Sequence, residues 1–201
     1  RTADEVSVHG YRMVVVDGSP DESIGRAIST AGRGSVSVER EKQKGMGSAR
    51  RQCFRSALEM GAEVVVWIEP EKYPIVKHLS SCVDPVILGE CDVVVPRRES
   101  LDSYPSYQRC SELLAIWEIA TTTGRPDIDW MFGPRVWNRR ATEHFLKYDG
   151  KNGPDNWEIL VVPFIWAFKK GDLKILSVTV PYVHPKEQVF AEEGDIEMNK
   201  K

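Results

Sequence analysis

The sequence predicts an α/β protein built on a mainly parallel sheet, and three observations lead there. Short β-branched runs alternate with amphipathic stretches between residues 11 and 95, the order that βαβ units impose. Each apolar run stops abruptly at a turn rich in Gly, Pro or acids. Two of those stops, Asp17-Gly18-Ser19 and Glu69-Pro70-Glu71, put carboxylates where such sheets bind ligands, beyond the carboxyl ends of their strands.

The elements follow in order. Tyr11-Arg12-Met13-Val14-Val15-Val16 is a buried strand ended by Asp17-Gly18-Ser19-Pro20-Asp21. Residues 21–31 place Ile24, Ala27 and Ile28 on one helical face, and Ser35-Val36-Ser37-Val38 is a second strand. Over 46–60, Met46, Ala49, Cys53, Phe54, Ala57 and Leu58 recur at three and four, and Gly61 stops the helix. Val64-Val65-Val66-Trp67-Ile68 is a strand, 74–82 a helix and 92–95 a strand. Beyond this point residues 106–122 form a long helix closed by Gly124 and Pro126, and 129–135 are aromatic and turn-rich. A helix over 139–147, a surface loop over 151–155 and a helical stretch over 156–169 come next. Pro163 kinks or splits that last stretch. A strand over 173–183 precedes an acidic tail, 187–201, whose low core content predicts that it frays or packs on a partner.

Composition narrows the function classes. The chain has 201 residues, enough for one domain over its whole length, 1–201. Its 27 basic and 30 acidic residues leave a net charge of -3, which removes any general attraction to nucleic acid. No apolar run approaches the roughly 18 to 20 residues of a membrane span. Cys53, Cys82, Cys91 and Cys110 show neither CxxC nor zinc spacing, so they read as reduced thiols of a cytoplasmic protein.

Four constellations carry candidate chemistry. Asp17, with Gly18 for the turn and Ser19 or Asp21 as caps, can accept hydrogen bonds from a base or a ribose. Lys44-Gly45-Met46-Gly47-Ser48-Ala49-Arg50-Arg51 opens a helix whose free N–H groups, dipole and basic side chains suit a phosphate. It matches neither a P-loop nor GxGxxG. Glu69 and Glu71 can hold Mg²⁺ or Mn²⁺ on a diphosphate, and Lys72 beside them can supply positive charge without a metal. In Asp129-Trp130-Met131-Phe132-Gly133-Pro134-Arg135 an acid precedes aromatics that stack on sugar faces. His184 follows the last strand as a neutral-imidazole candidate ligand.

The order of these motifs resembles the family 2 type of GT-A glycosyltransferase, including dolichol-phosphate-sugar synthase-like members. The resemblance runs over about residues 11–185. Asp17 to Asp21 match D-[DG]-[GS]-x-D, Lys44 to Arg50 match K-G-x-G-x-A-R, and Gly133 to Arg140 match G-[FP]-R-x-[FWY]-x-R-[RE]. Residues 157–171 match a W-E helix, and Val178 to Pro181 match V-x-V-P. The acidic motif is ExE rather than DxD, and residues 1–10 do not supply the strand and nucleotide loop that open the family's domain.

The resemblance implies a Rossmann-like three-layer sandwich with a mainly parallel mixed sheet. It implies transfer of a sugar from a nucleoside-diphosphate sugar to an acceptor the sequence does not name. Asp17, Gly18, Ser19 and Asp21 would contact base and ribose, and Lys44, Gly45, Gly47 and Arg50 would lie near the diphosphate. Glu69, Glu71 and His184 would hold Mg²⁺ or Mn²⁺. Asp129 would orient or deprotonate the acceptor, Arg135 would bind a phosphate, and Glu158 would face the acceptor pocket. A non-catalytic nucleotide-sugar-binding module and a sugar-phosphate nucleotidyltransferase are the alternatives. A homodimer is among the states the sequence allows.

Overall fold

The computed structural model describes residues 1–148 and 155–199, with side chains described as far as Glu192. Helix α1 (Thr2–Val8) precedes β1 (Met13–Asp17), α2 (Ser23–Ala31), β2 (Val36–Arg40), α3 (Met46–Glu59) and β3 (Val64–Trp67). A 3₁₀ segment (Pro70–His78) runs into α4 (Leu79–Ile87), followed by β4 (Val93–Arg98) and α5 (Ser106–Thr123). Then come β5 (Arg135–Asn138), α6 (Arg139–Lys147), a 3₁₀ turn (Trp157–Leu160), α7 (Val162–Lys170), β6 (Ile175–Val180) and α8 (Lys186–Asn199).

Strand alternation builds the core. One face of a four-stranded sheet, ordered β3-β5-β4-β6, presents Val65, Val93, Val95, Trp137 and Ile175 to Phe54 of α3, Phe145 of α6 and Phe164 of α7. The other presents Val94, Val136 and Val180 to Ile75, Leu79, Cys82 and Val86. A period of two thus gives two apolar faces and a helical layer on each. Trp137 anchors the first face, with its ring 4.5 Å from Phe54 and 4.9 Å from Phe164.

The structure sharpens several expectations. The four-stranded sheet is mixed: β3, β4 and β6 run one way, and β5 runs antiparallel to both its neighbours, β3 and β4, so that within this sheet, among the described residues, β4 with β6 is the one parallel pairing. The cause is local. The chain approaches through Gly133-Pro134 at the carboxyl end of β3, so Arg135 pairs with Trp67 and the strand must run back. The stretch over 156–169 is split as expected, into the 3₁₀ turn and α7, with Pro163 at the first turn of α7, where its missing N–H leaves no bond unmade. Residues expected as an acidic tail are helical from Lys186. Of the expected 151–155 loop, residues 151–154 lie outside the described residues.

The sheet is also interrupted. Strand β1 pairs in parallel with β2 alone, as a separate two-stranded sheet. A cavity of about 420 Å³ separates β1 from β3, lined by residues 10–14 on one side and 64–68 on the other. Cys53, Phe54 and Ala57 of α3 line it too, as do Val6 and Leu79. Residues 1–10, which are not expected to supply the family's opening strand, hold α1 over Thr2–Val8.

Candidate functional site

The β1 turn is closed on itself. Asp17 accepts from Ser19 N (2.9 Å) and from Arg40 Nη1 (3.0 Å), while Arg40 Nη2 donates to Ser19 O at 2.7 Å. The Ser19 hydrogen bonds, with Arg40 beside them, hold the Asp17 carboxyl below its usual range. Asp21 accepts from Ser23 N (2.7 Å), capping α2, and is likewise lowered. A Cβ on Gly18 would meet Glu41 Oε2 at 2.7 Å.

The basic helix start sits against a carboxylate. Gly45 enters α3 at φ +133°, a conformation open to glycine. Gly47 N donates to Asp155 O at 3.0 Å, and a side chain on Gly47 would collide with the Asp155 carboxylate. Arg51 forks onto that carboxylate at 2.7 and 2.5 Å. Arg50 is buried (6% exposed), stacks over the Trp67 ring at 5.1 Å and donates to Asn156 O at 2.9 Å. Glu158 Oε1 accepts from Asn156 N at 2.9 Å. The positive end of α3 therefore meets an acid of its own chain, the charge sign it favours. Lys44 remains exposed beside it.

At the carboxyl ends of β3, β4 and β6 a second set converges. Arg98 gives Asp129 a two-pronged ion pair at 2.7 and 2.9 Å and reaches Glu112 at 2.5 Å. Burial depresses the Arg98 guanidinium, but the Asp129 fork outweighs it and the net shift is upward. Asp129 also accepts from Phe132 N at 3.2 Å. Arg135 is 1% exposed and donates to the carbonyls of Trp130 and Pro134, at 2.7 and 2.8 Å, and of Phe132. Burial pulls it down to about 10, so it stays charged at neutral pH. Glu69 lies on Gly133, where a side chain would collide with its carboxylate. Burial raises the Glu69 carboxyl, and its Oε2 hydrogen-bonds nothing. Tyr104 stacks on His184 at 4.2 Å, and Tyr182 Oη lies 3.2 Å from His184 Nδ1. Desolvation, helped by Lys72 and Arg98, lowers His184 to about 4, leaving a neutral imidazole.

Glu69, Asp129, Arg135 and His184 therefore belong to one neighbourhood, the α3 start with Glu158 adjoins it through Arg50, whose charge acts on Glu69, and Asp17 with Asp21 form another. Asp129 and Arg135, expected to meet acceptor and phosphate, are both committed to internal partners. Sequence reading missed Arg98, Tyr104, Glu112 and Glu192. The one signal for Arg98 was its place at the end of a strand, where the ligand-binding edge begins.

The metal ligands do not assemble. Among the described residues no group of three or more His, Cys, Asp or Glu side chains can hold a metal ion. Glu71 Oε1 faces Lys72 Nζ at 3.5 Å, and His184 Nε2 faces Glu192 Oε2 at 3.4 Å. The residues present do not fit the expected Mg²⁺ or Mn²⁺. A cavity of about 540 Å³ opens nearby, floored by Met13 and Val15, walled by Ile24, Ala27 and Ile28, and rimmed by Glu71, Tyr73 and Glu187. Of the sequence-predicted site residues only Glu71 lines it.

The four cysteines are free, and burial pushes the Cys53, Cys82 and Cys91 thiols up to about 11. No helix among the described residues is long and apolar enough to cross a membrane.

No protein-family model matches the chain, and no curated protein matches it. Solved structures do. A mycobacterial protein superposes with a TM-score of 0.63 at 18% identity, over 88% of this chain and 59% of its own. A Desulfovibrio desulfuricans G20 protein named "putative nucleotide-diphospho-sugar transferase" superposes with a TM-score of 0.50 at 8% identity, over 88% of this chain and 63% of its own. The chain thus spans about three-fifths of each, and the likeness is one of fold: an α/β protein with a mixed sheet, similar to that of a nucleotide-diphospho-sugar transferase.

Proposed function

We propose that this chain binds a nucleoside-diphosphate sugar and takes part in transferring its sugar to an acceptor. The observation that carries the reading is the fold likeness to a protein named as a nucleotide-diphospho-sugar transferase. The carboxylates at the ends of β1 and β3 support it, lying where such folds take their ligands. Asp17 and Asp21 would receive base and ribose. Lys44 and Arg50 would balance the diphosphate, with Asp155 yielding the α3 terminus to it. Transfer breaks the bond between the anomeric carbon and the diphosphate oxygen and forms one to an acceptor oxygen, whose proton must pass to a base. The chain's contribution would be positioning and charge balance on the leaving group.

A second reading, a nucleotide-sugar-binding module without transfer, is favoured by one observation: Asp129, the expected base, is held by Arg98 on both oxygens. Calorimetry with UDP-, GDP- and TDP-sugars, each with and without Mn²⁺, tests the common part. One of them is expected to bind, and silence from all three sinks the proposal. Released nucleoside diphosphate in the presence of a broad acceptor panel then separates transfer from binding alone, and pyrophosphate released from a nucleoside triphosphate and a sugar 1-phosphate would select a nucleotidyltransferase.

A further inference from the structure

A cation of the chain itself stands among the expected metal ligands. Lys72 is buried at 9% exposure, although a lysine in a loop beside two acids would ordinarily extend into water. Its ammonium lies 3.5 Å from Glu71 Oε1 and 5.4 Å from the centre of the Tyr104 ring, which also carries the stacked His184 and, at 4.8 Å, the Arg98 guanidinium already held by Asp129. Its charge acts on Glu69, His184 and Glu192 as well. His184 is 1% exposed, and its Nε2 and the Glu69 Oε2 both lack a hydrogen-bond partner. The polar groups that a divalent ion would need are thus gathered around a covalently attached monovalent one.

We propose that Lys72 takes the place of the divalent cation, so that this site balances the charge of a diphosphate with its own ammonium and needs no metal. The diphosphate half rests on the function proposed above; the cation half stands on the Lys72 geometry alone. The exchange has a physical basis. A fixed ammonium offers three N–H donors to phosphate oxygens and also neutralises the adjoining carboxylates, which removes the attraction that would recruit Mg²⁺ or Mn²⁺.

Two measurements on the 201-residue protein test it. In the first, Mn²⁺ alone is titrated by calorimetry and electron paramagnetic resonance. Wild type and Lys72→Arg are expected to bind no tighter than about 1 mM. Lys72→Met, freed of its cation, is expected to gain at least about tenfold in Mn²⁺ affinity, and Lys72→Met/Glu71→Gln to lose that gain. A merely structural lysine would not create a metal site on removal. Tight Mn²⁺ binding by wild type that Glu71→Gln abolishes would overturn the proposal, as would a folded Lys72→Met with no gain.

The second measurement uses wild type only and so does not depend on any variant folding. UDP, GDP and TDP are titrated in EDTA and in Mn²⁺. Equal affinity in the two supports the lysine, and a requirement for Mn²⁺ overturns it. If none of the three binds in either buffer, the proposed function fails, and the Mn²⁺ titration still decides the role of Lys72.

Discussion

Asp129 shows how a residue picked for chemistry can be held by structure. Its type and its aromatic neighbours are right for handling a sugar hydroxyl, yet Arg98 occupies both oxygens inside a site where each partner is about 5% exposed. Removing one member of a buried pair leaves the other uncompensated, which costs about 3–5 kcal/mol. Asp129→Ala is therefore expected to lose about that much in urea denaturation, whereas Arg98→Met/Glu112→Gln/Asp129→Leu, which removes Arg98 together with both of its acidic partners, is expected to recover most of the loss. If Asp129→Ala instead keeps full stability and loses only transfer, the acid is free for catalysis and the structural reading fails. Nothing in the sequence near Asp129 names Arg98. The pair joins the end of β4 to a loop 31 positions later, and only the fold brings them together.

Elements repeat the contrast between pattern and placement. The sequence predicts helices over 46–60, from apolar spacing, and over 106–122, closed by Gly124 and Pro126, and both form, as α3 and α5. Helix α3 buries Phe54 in the main core, whereas none of the residues of α5 is buried, and Leu113, Leu114 and Trp117 are exposed by 54 to 68%. Trp117→Lys is accordingly expected to change unfolding stability by less than about 0.5 kcal/mol, while Trp137→Ala should cost about 3–5 kcal/mol. Thermal and urea melts of the two variants measure the difference, and a large loss from Trp117→Lys would mean that α5 packs against something in solution. Strand β5 was unreadable for a different reason. Four residues cannot display a period convincingly, and Gly133-Pro134 before them reads as a turn.

At the scale of the whole molecule the interruption between β1 and β3 dominates. Met13 N donates to Ser35 O at 2.9 Å, so by strand alternation the N–H groups of Val14 and Val16 face away from β2, toward the cavity side. Unpaired edges of this kind are the part of a sheet that opens first. Amide hydrogen exchange should therefore be fast at Val14 and slow at Val94, which is fully buried between β5 and β6. Equal protection at the two would mean that the two edges are bridged in solution.

By itself the sequence determined the local order of strand, helix and acidic turn from β1 to β4, because apolar period and turn chemistry are properties of neighbouring residues. It also located the carboxylates at strand ends, since a strand's end is a local event. The tertiary structure decided which of those carboxylates are spoken for. Asp129 to Arg98 is a pairing set by how β4 and the loop before β5 come together, and Lys72, Glu71's neighbour in the sequence, is buried against Tyr104 only in the folded chain. Only a folded chain fixes the few ångströms over which a charge finds its partner, and that distance separates a metal site from a lysine already in its place.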